Sequence, residues 1–149
     1  MVDITLITGS TLGSAEYVAE HLAEKLEEVG FSSEIQHGPR LDDVPHEGTW
    51  LVISSTHGAG DIPDNLQPLY EALQVQKPDL SNVHFGAIGI GSREYDTFCG
   101  AISKLETELT ACGAKQIGET LRINVLEHDI PEDPAEIWLR SWHPLLRDL

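Results

Sequence analysis

Short β-branched runs alternate with longer stretches of helical period along the whole chain. Five runs read as strands: Ile4-Thr5-Leu6-Ile7-Thr8, Glu34-Ile35-Gln36-His37, Trp50-Leu51-Val52-Ile53-Ser54, Phe85-Gly86-Ala87-Ile88-Gly89-Ile90 and Leu121-Arg122-Ile123-Asn124-Val125. The apolar runs in the first, third and fourth suit strands covered on both faces, whereas the second is weak and reads as an edge. Between them lie helical stripes. Val18, Leu22, Leu26 and Val29 form one, ended by Gly30; Leu66, Leu69, Tyr70 and Leu73 form another, with Pro68 leaving its first residue open. Phe98, Ile102, Leu105 and Leu109 form a third, running up to Gly113. The last helix opens with Asp133-Pro134-Ala135-Glu136, which predicts an Asp133 N-cap, Pro134 at the first position and a capping box closed by Glu136. Residues 39–48, with Pro39, Pro45 and Gly48, read as irregular connection.

This alternation predicts an α/β fold in which helices cover both faces of a parallel sheet. No repeat, low-complexity tract or linker interrupts it, so residues 1–149 are expected to form one domain. Two strand orders are common for a doubly wound sheet. Both place ligands beyond the carboxyl ends of the strands, where the order reverses. The loops after the first, third and fourth strands are therefore where chemistry is expected.

After the first strand, Gly9-Ser10-Thr11-Leu12-Gly13-Ser14-Ala15-Glu16 leads straight into a helix. Glycines that let amides turn inward, hydroxyl donors and a helix N-terminus make a phosphate cradle. The Gly-Lys-Ser/Thr ending of a nucleotide-hydrolysing loop is missing, and no Lys or Arg is present. Neutral donors suit a phosphate that is held rather than transferred. After the third strand, Ser55-Thr56-His57-Gly58-Ala59-Gly60-Asp61-Ile62-Pro63-Asp64-Asn65 offers paired glycines for a flat ligand, and a histidine. After the fourth, Gly91-Ser92-Arg93-Glu94-Tyr95-Asp96-Thr97-Phe98-Cys99 places Tyr95 in a polar loop, where a flat ring can stack, while Phe98 continues the helical stripe toward the core.

Composition removes several classes. A formal net charge of −16 argues against a phosphate-neutralising nucleic-acid surface; such an acidic surface mostly serves solubility and can also steer the chain toward basic faces of protein partners. The apolar runs are all shorter than a membrane span and Met1-Val2-Asp3-Ile4 lacks a basic leader, so a cytoplasmic chain without membrane association is expected. Cys99 and Cys112 are thirteen positions apart in one helical pattern and point to nearly opposite sides, too far round to bridge. There is no CxxC, no metal-ligand spacing among the seven His, no G-x-S-x-G elbow, and no Asp at the end of the third strand for a phosphoacceptor domain.

Taken together the three loops resemble those of the flavodoxin family, over essentially the whole chain. Gly9 to Glu16 is similar to the family's FMN phosphate loop, Thr56 to Asn65 to its second flavin loop, and Tyr95 with Phe98-Cys99-Gly100-Ala101 to the third loop and the helix after it. The detailed wording (Ser-Thr-Leu-Gly, Ser-Thr-His-Gly-Ala-Gly-Asp, Gly-Ser-Arg-Glu-Tyr-Asp-Thr-Phe-Cys-Gly-Ala) is similar to the MioC subgroup of short-chain flavodoxin-like proteins. The resemblance implies a three-layer αβα sandwich with a five-stranded parallel sheet in the order 2-1-3-4-5. It implies FMN as cofactor, with Ser10, Thr11, Leu12, Gly13, Ser14 and Ala15 at the phosphate. Thr56, His57, Gly58, Ala59, Gly60, Gly91, Ser92, Arg93, Tyr95 and Phe98 would then lie around the flavin. Tyr95 would stack on one face of the ring, and His57 stands where many relatives place Trp or Tyr.

Ala15 in place of a Thr hydroxyl and His57 in place of a larger aromatic each remove about 1 kcal/mol, which predicts FMN binding ~10- to 100-fold weaker than is typical of the family. Asp61, Asp64, Glu94 and Asp96 fall in the loops expected around the ring. A negative charge about 6 Å away at an effective dielectric near 20 disfavours a reduced, anionic flavin by ~2–3 kcal/mol, partly offset by Arg93. The implied function is a monomeric electron carrier with no substrate turnover of its own. It would be reduced by a separate NAD(P)H-dependent flavin reductase and oxidised by acceptors such as radical enzymes, biotin synthase among them. A small flavoenzyme acting on quinones, and a flavin-free interaction module that kept the fold, are the alternatives.

Overall fold

Four β-branched segments build the centre of the molecule: β1 (Ile4–Gly9), β2 (Ser33–His37), β3 (Gly48–Ser55) and β4 (Val83–Gly91). The computed structural model describes residues 3–9, 14–55, 62–91, 100–124 and 130–148. All strand pairs among them are parallel, and the sheet runs β2-β1-β3-β4 before reaching its far edge. Every residue of β1 is buried, as are Trp50–Ser54 of β3 and Phe85–Ile90 of β4, so the three strands with continuous apolar runs are the central ones. The weak second strand is an edge.

The far edge differs from a single fifth strand. Two short segments share it: β5 (Lys115–Gln116) pairs with His84 and Phe85, and β6 (Leu121–Asn124) pairs with Ile88 to Gly91. The interruption centres on Gly118, at φ +70°. Two indoles occupy the carbonyls that the break leaves without strand partners. Trp142 Nε1–H donates to Ile117 O and Trp138 Nε1–H to Glu119 O, each at 3.0 Å, with the two rings stacked at 5.2 Å. The order is thus 2-1-3-4-5, with the fifth position continued by a sixth strand. Val125 lies outside the described residues.

Helices α1 (Ser14–Glu28) and α4 (Glu132–Trp142) cover one face, over Leu6, Leu51, Ile53 and Ile88. Helices α2 (Gln67–Gln76) and α3 (Gly100–Ala111) cover the other, over Ile7, Trp50, Val52 and Phe85. Val18, Leu22 and Leu26 are fully buried, as the 3.6-residue period requires, and α1 ends before Gly30 at φ +94°. A 3-10 turn, Asp64–Leu66, precedes α2, and Pro68 sits in that helix's first turn, where no amide is needed.

At α4 the expected cap is not formed. Pro131 already has helical angles (φ −58°, ψ −24°), so the helix begins at Glu132 and Asp133 lies inside its first turn. Glu136, freed from any capping role, meets α1 instead. Its carboxylate is 2.9 Å from His21 Nε2, 3.5 Å from Lys25 Nζ and 2.8 Å from Arg140. The His21 hydrogen bond, reinforced by the two cations, holds Glu136 below the usual carboxylate range. Cys112, just past α3, is buried, and its thiol donates to Leu73 O at 3.7 Å; burial pushes that thiol up. Cys99 and Phe98 lie outside the described residues. Among those described, no helix is long and apolar enough to cross a membrane.

Candidate functional site

The register brings the loop-bearing strand ends to one edge. Gly9 lies beside Ser54, Ser54 beside Gly89, and Gly91 beside Asn124. Neighbouring strands are about 4.8 Å apart, so the ends of β1, β3 and β4 fall within ~10 Å of one another. The chain leaves β1 for the edge strand β2 and returns to β3 on the opposite side, which makes the β1/β3 boundary the point where the order reverses.

Four residues, 10–13, separate Gly9 from the start of α1 at Ser14. The fifteen-residue helix thus presents its unpaired first-turn amides and positive dipole end to this edge. Ala15 is fully buried among Val18, Ala19 and Leu22, so its methyl belongs to the core and its amide is the group that can serve a ligand.

The end of β2 and the 3-10 turn before α2 close in around this point. Gly38 N–H donates to Thr8 O at 2.8 Å, extending the β1–β2 ladder past the last strand residue. Thr8 is completely buried, and its hydroxyl is 2.6 Å from His37 Nδ1; which of the two donates follows the imidazole tautomer. The same nitrogen is 4.0 Å from Glu16 Oε1. A Cβ at Gly38 (φ +57°) would lie 2.7 Å from Asn65 O, and one at Gly9 would lie 2.2 Å from Leu66 Cδ1. Both glycines are therefore needed for close approach. Asn65 Oδ1 is buried and has no hydrogen-bond partner among the described residues.

Of the residues expected around the cofactor, Ser14 and Ala15 fall at the start of α1 and Gly91 at the end of β4, all at this edge. Ser10, Thr11, Leu12, Gly13, Thr56, His57, Gly58, Ala59, Gly60, Ser92, Arg93, Tyr95 and Phe98 lie outside the described residues, as do Asp61, Glu94 and Asp96. Asp64 is exposed in the 3-10 turn. Thr8, Glu16, His37, Asn65 and Asn124 also fall at this edge; Glu16 and Asn65 lie within the first and second loops, and Thr8, His37 and Asn124 were not singled out from the sequence. The last is a buried polar residue at the end of β6, and a polar side chain inside an apolar run was its available signal. No cluster of His, Cys, Asp or Glu fit for a metal occurs among the described residues. Parallel strand ends, a helix start at their edge, close-approach glycines and, among the described residues, an acceptor without a partner fit a phosphorylated planar cofactor.

Comparison with known proteins agrees with this geometry. The flavodoxin family model matches residues 6–138. Protein MioC of Escherichia coli K12 is 78% identical over 147 residues, covering 99% of this chain and 100% of that protein. A MioC homolog of Haemophilus influenzae is 52% identical over 139 residues, covering 93% and 95%. Among solved structures, a cysteine-to-serine variant of a flavodoxin from Pseudomonas aeruginosa superposes with a TM-score of 0.88 at 34% identity, over 97% of this chain and 98% of that one. A family match over residues 6–138, near-complete coverage by relatives and a shared fold converge: the chain belongs to the flavodoxin family, in its short-chain MioC subgroup.

Proposed function

We propose that the chain binds one FMN at the carboxyl edge of its sheet and carries electrons from a separate NAD(P)H-dependent flavin reductase to acceptor enzymes. Membership in a family of electron carriers supports an FMN-type carrier in general; the donor and the direction of transfer are our reading. The observation that carries it is the convergence of β1, β3 and β4 ends, each continued by a polar glycine-containing loop, at the point where strand order reverses.

FMN, when bound, would supply one- and two-electron exchange. The chain's own residues do the rest. The α1 amides and the hydroxyls of Ser10, Thr11 and Ser14 hold the phosphate without a formal cation. Gly9 and Gly38 let Leu66 and Asn65 pack against the ends of β1 and β2, and Tyr95 and His57 enclose the ring. Acidic groups in the second and third loops lower the potential and shape a docking face for a basic patch on the reductase, consistent with a net charge of −16. A cytoplasmic monomer that turns over no substrate of its own completes this reading. Radical enzymes such as biotin synthase are acceptors of the right kind.

Titrating apoprotein with FMN while following visible absorption tests the proposal. A perturbed yellow chromophore at one-to-one stoichiometry is expected, with affinity ~10- to 100-fold weaker than a typical flavodoxin because of Ala15 and His57. An unperturbed spectrum in excess cofactor would sink it.

A further inference from the structure

At the carboxyl end of β2, one imidazole joins the two sides of the β1–α1 connection. His37 Nδ1 is 2.6 Å from the hydroxyl of Thr8, next to last in β1, and 4.0 Å from the carboxylate of Glu16, in the first turn of α1. Thr8 is held twice, since its carbonyl also accepts from Gly38 N–H. Only four positions separate Gly9 from Ser14, and four residues span at most ~14 Å, so Thr8 and Glu16 flank the start and end of a short connection.

The connection contains no Lys or Arg, while Glu16 puts a carboxylate two residues beyond Ser14. A carboxylate so placed repels a bound anion unless it is held aside and offset by a donor. His37, on the neighbouring strand, is placed to do both.

We propose that His37 is a positioning residue for the phosphate. By fixing Thr8 and drawing Glu16 toward β2, it sets how strongly the site prefers phosphorylated over unphosphorylated flavin. This rests on the flavin-carrier reading and adds a residue and a selectivity to it. An anchor acting only through the phosphate connection affects FMN and leaves riboflavin, which lacks the phosphate, nearly unchanged.

The test is titration of wild-type, His37→Ala and His37→Asn apoproteins with FMN and with riboflavin, with apoprotein melting temperatures measured alongside. His37→Ala should weaken FMN about 10-fold, the size of one lost hydrogen bond, and riboflavin less than ~2-fold. His37→Asn, whose amide can replace Nδ1 beside the Thr8 hydroxyl, should recover part of the loss. The His37 side chain is 44% exposed on an edge strand, so both variants are expected to fold. Equal weakening of both ligands, or unchanged FMN binding in His37→Ala, overturns the inference. Wild-type protein that binds the two flavins equally overturns it while the flavin reading stands; wild-type protein that binds neither removes both.

Discussion

The two ends of the sheet use the same residue for opposite purposes. At the amino end, Gly30 and Gly48 have φ of +94° and +93°, and a Cβ on either would meet nothing within 4 Å. They let the chain reverse into β2 and β3, and no more. Lys77, at φ +42° after α2, shows that a side chain is tolerated in such a conformation where space is open. The reversals here are tied by local hydrogen bonds, as between Asp3 and Ser32, which exchange backbone N–H to side-chain contacts at 3.0 and 2.9 Å. At the carboxyl end, Gly9 and Gly38 have no room for a methyl group. Leu66 and Asn65 press against them, and buried Thr8, Ser54 and Asn124 replace the apolar residues of the strand centres. One end is built to turn the chain and the other to bring chain segments into close contact.

The strongest break of that contrast is Gly9→Ala. The new Cβ would lie 2.2 and 2.3 Å from two atoms of Leu66, which is itself fully buried and cannot swing out to solvent. We expect a loss of about 3 kcal/mol in urea unfolding, the upper end of ordinary overpacking. On the proposed function FMN affinity should also fall, because Leu66 ends the 3-10 turn Asp64–Leu66, which overlaps the loop proposed to meet the flavin. A Gly9→Ala protein of wild-type stability would mean that the carboxyl end is as open as the amino end.

Gly38→Ala and Gly30→Ala sharpen the comparison, because both introduce a methyl at positive φ and only one introduces a clash. The backbone penalty common to both is about 1 kcal/mol. Gly38→Ala should cost a further ~1–2 kcal/mol from the contact with Asn65 O and Cβ, at 2.7 and 2.8 Å. The difference between the two unfolding free energies measures crowding alone. If they coincide, the approach of Asn65 to the end of β2 contributes nothing.

How much of this was legible follows from which features are local. Strands β1, β3 and β4 and the α1 stripe were readable because burial on both faces, or on one helical face, writes a period into the sequence. The doubly wound class followed from their alternation. The split far edge was not readable: Ile117 to Thr120 break the strand through Gly118 and are completed by Trp138 and Trp142, about twenty residues on. The α4 cap was misjudged because Asp133-Pro134 carries a strong local signal, while Pro131 entered the helix earlier. Glycines and hydroxyls pointed to the β1–α1 connection as part of the candidate site, whereas His37 was visible only as the last residue of a weak strand. Its place beside Thr8 and Glu16 depends on parallel register, which no local pattern encodes.

The smallest expected effect belongs to the amino end, at the turn that feeds β4. Asp79 accepts from Ser81 Oγ–H at 2.6 Å and from Ser81 N–H at 3.0 Å, and the hydroxyl first, then the amide, hold its carboxyl below the ordinary value of 3.8. A carboxyl with a depressed folded-state value contributes stability that is present above its unfolded value and is lost as pH falls through the folded one. Asp79→Asn removes that contribution and keeps an acceptor for Ser81. Urea unfolding of the two proteins between about pH 2.5 and 7 should show a shallower acid decline for the variant, smaller than either glycine effect because Asp79 is exposed. FMN affinity at neutral pH should be unchanged, since this turn lies at the opposite end of β4 from Gly91. An altered affinity would show that the two ends are energetically coupled, and the division of labour between them would fail.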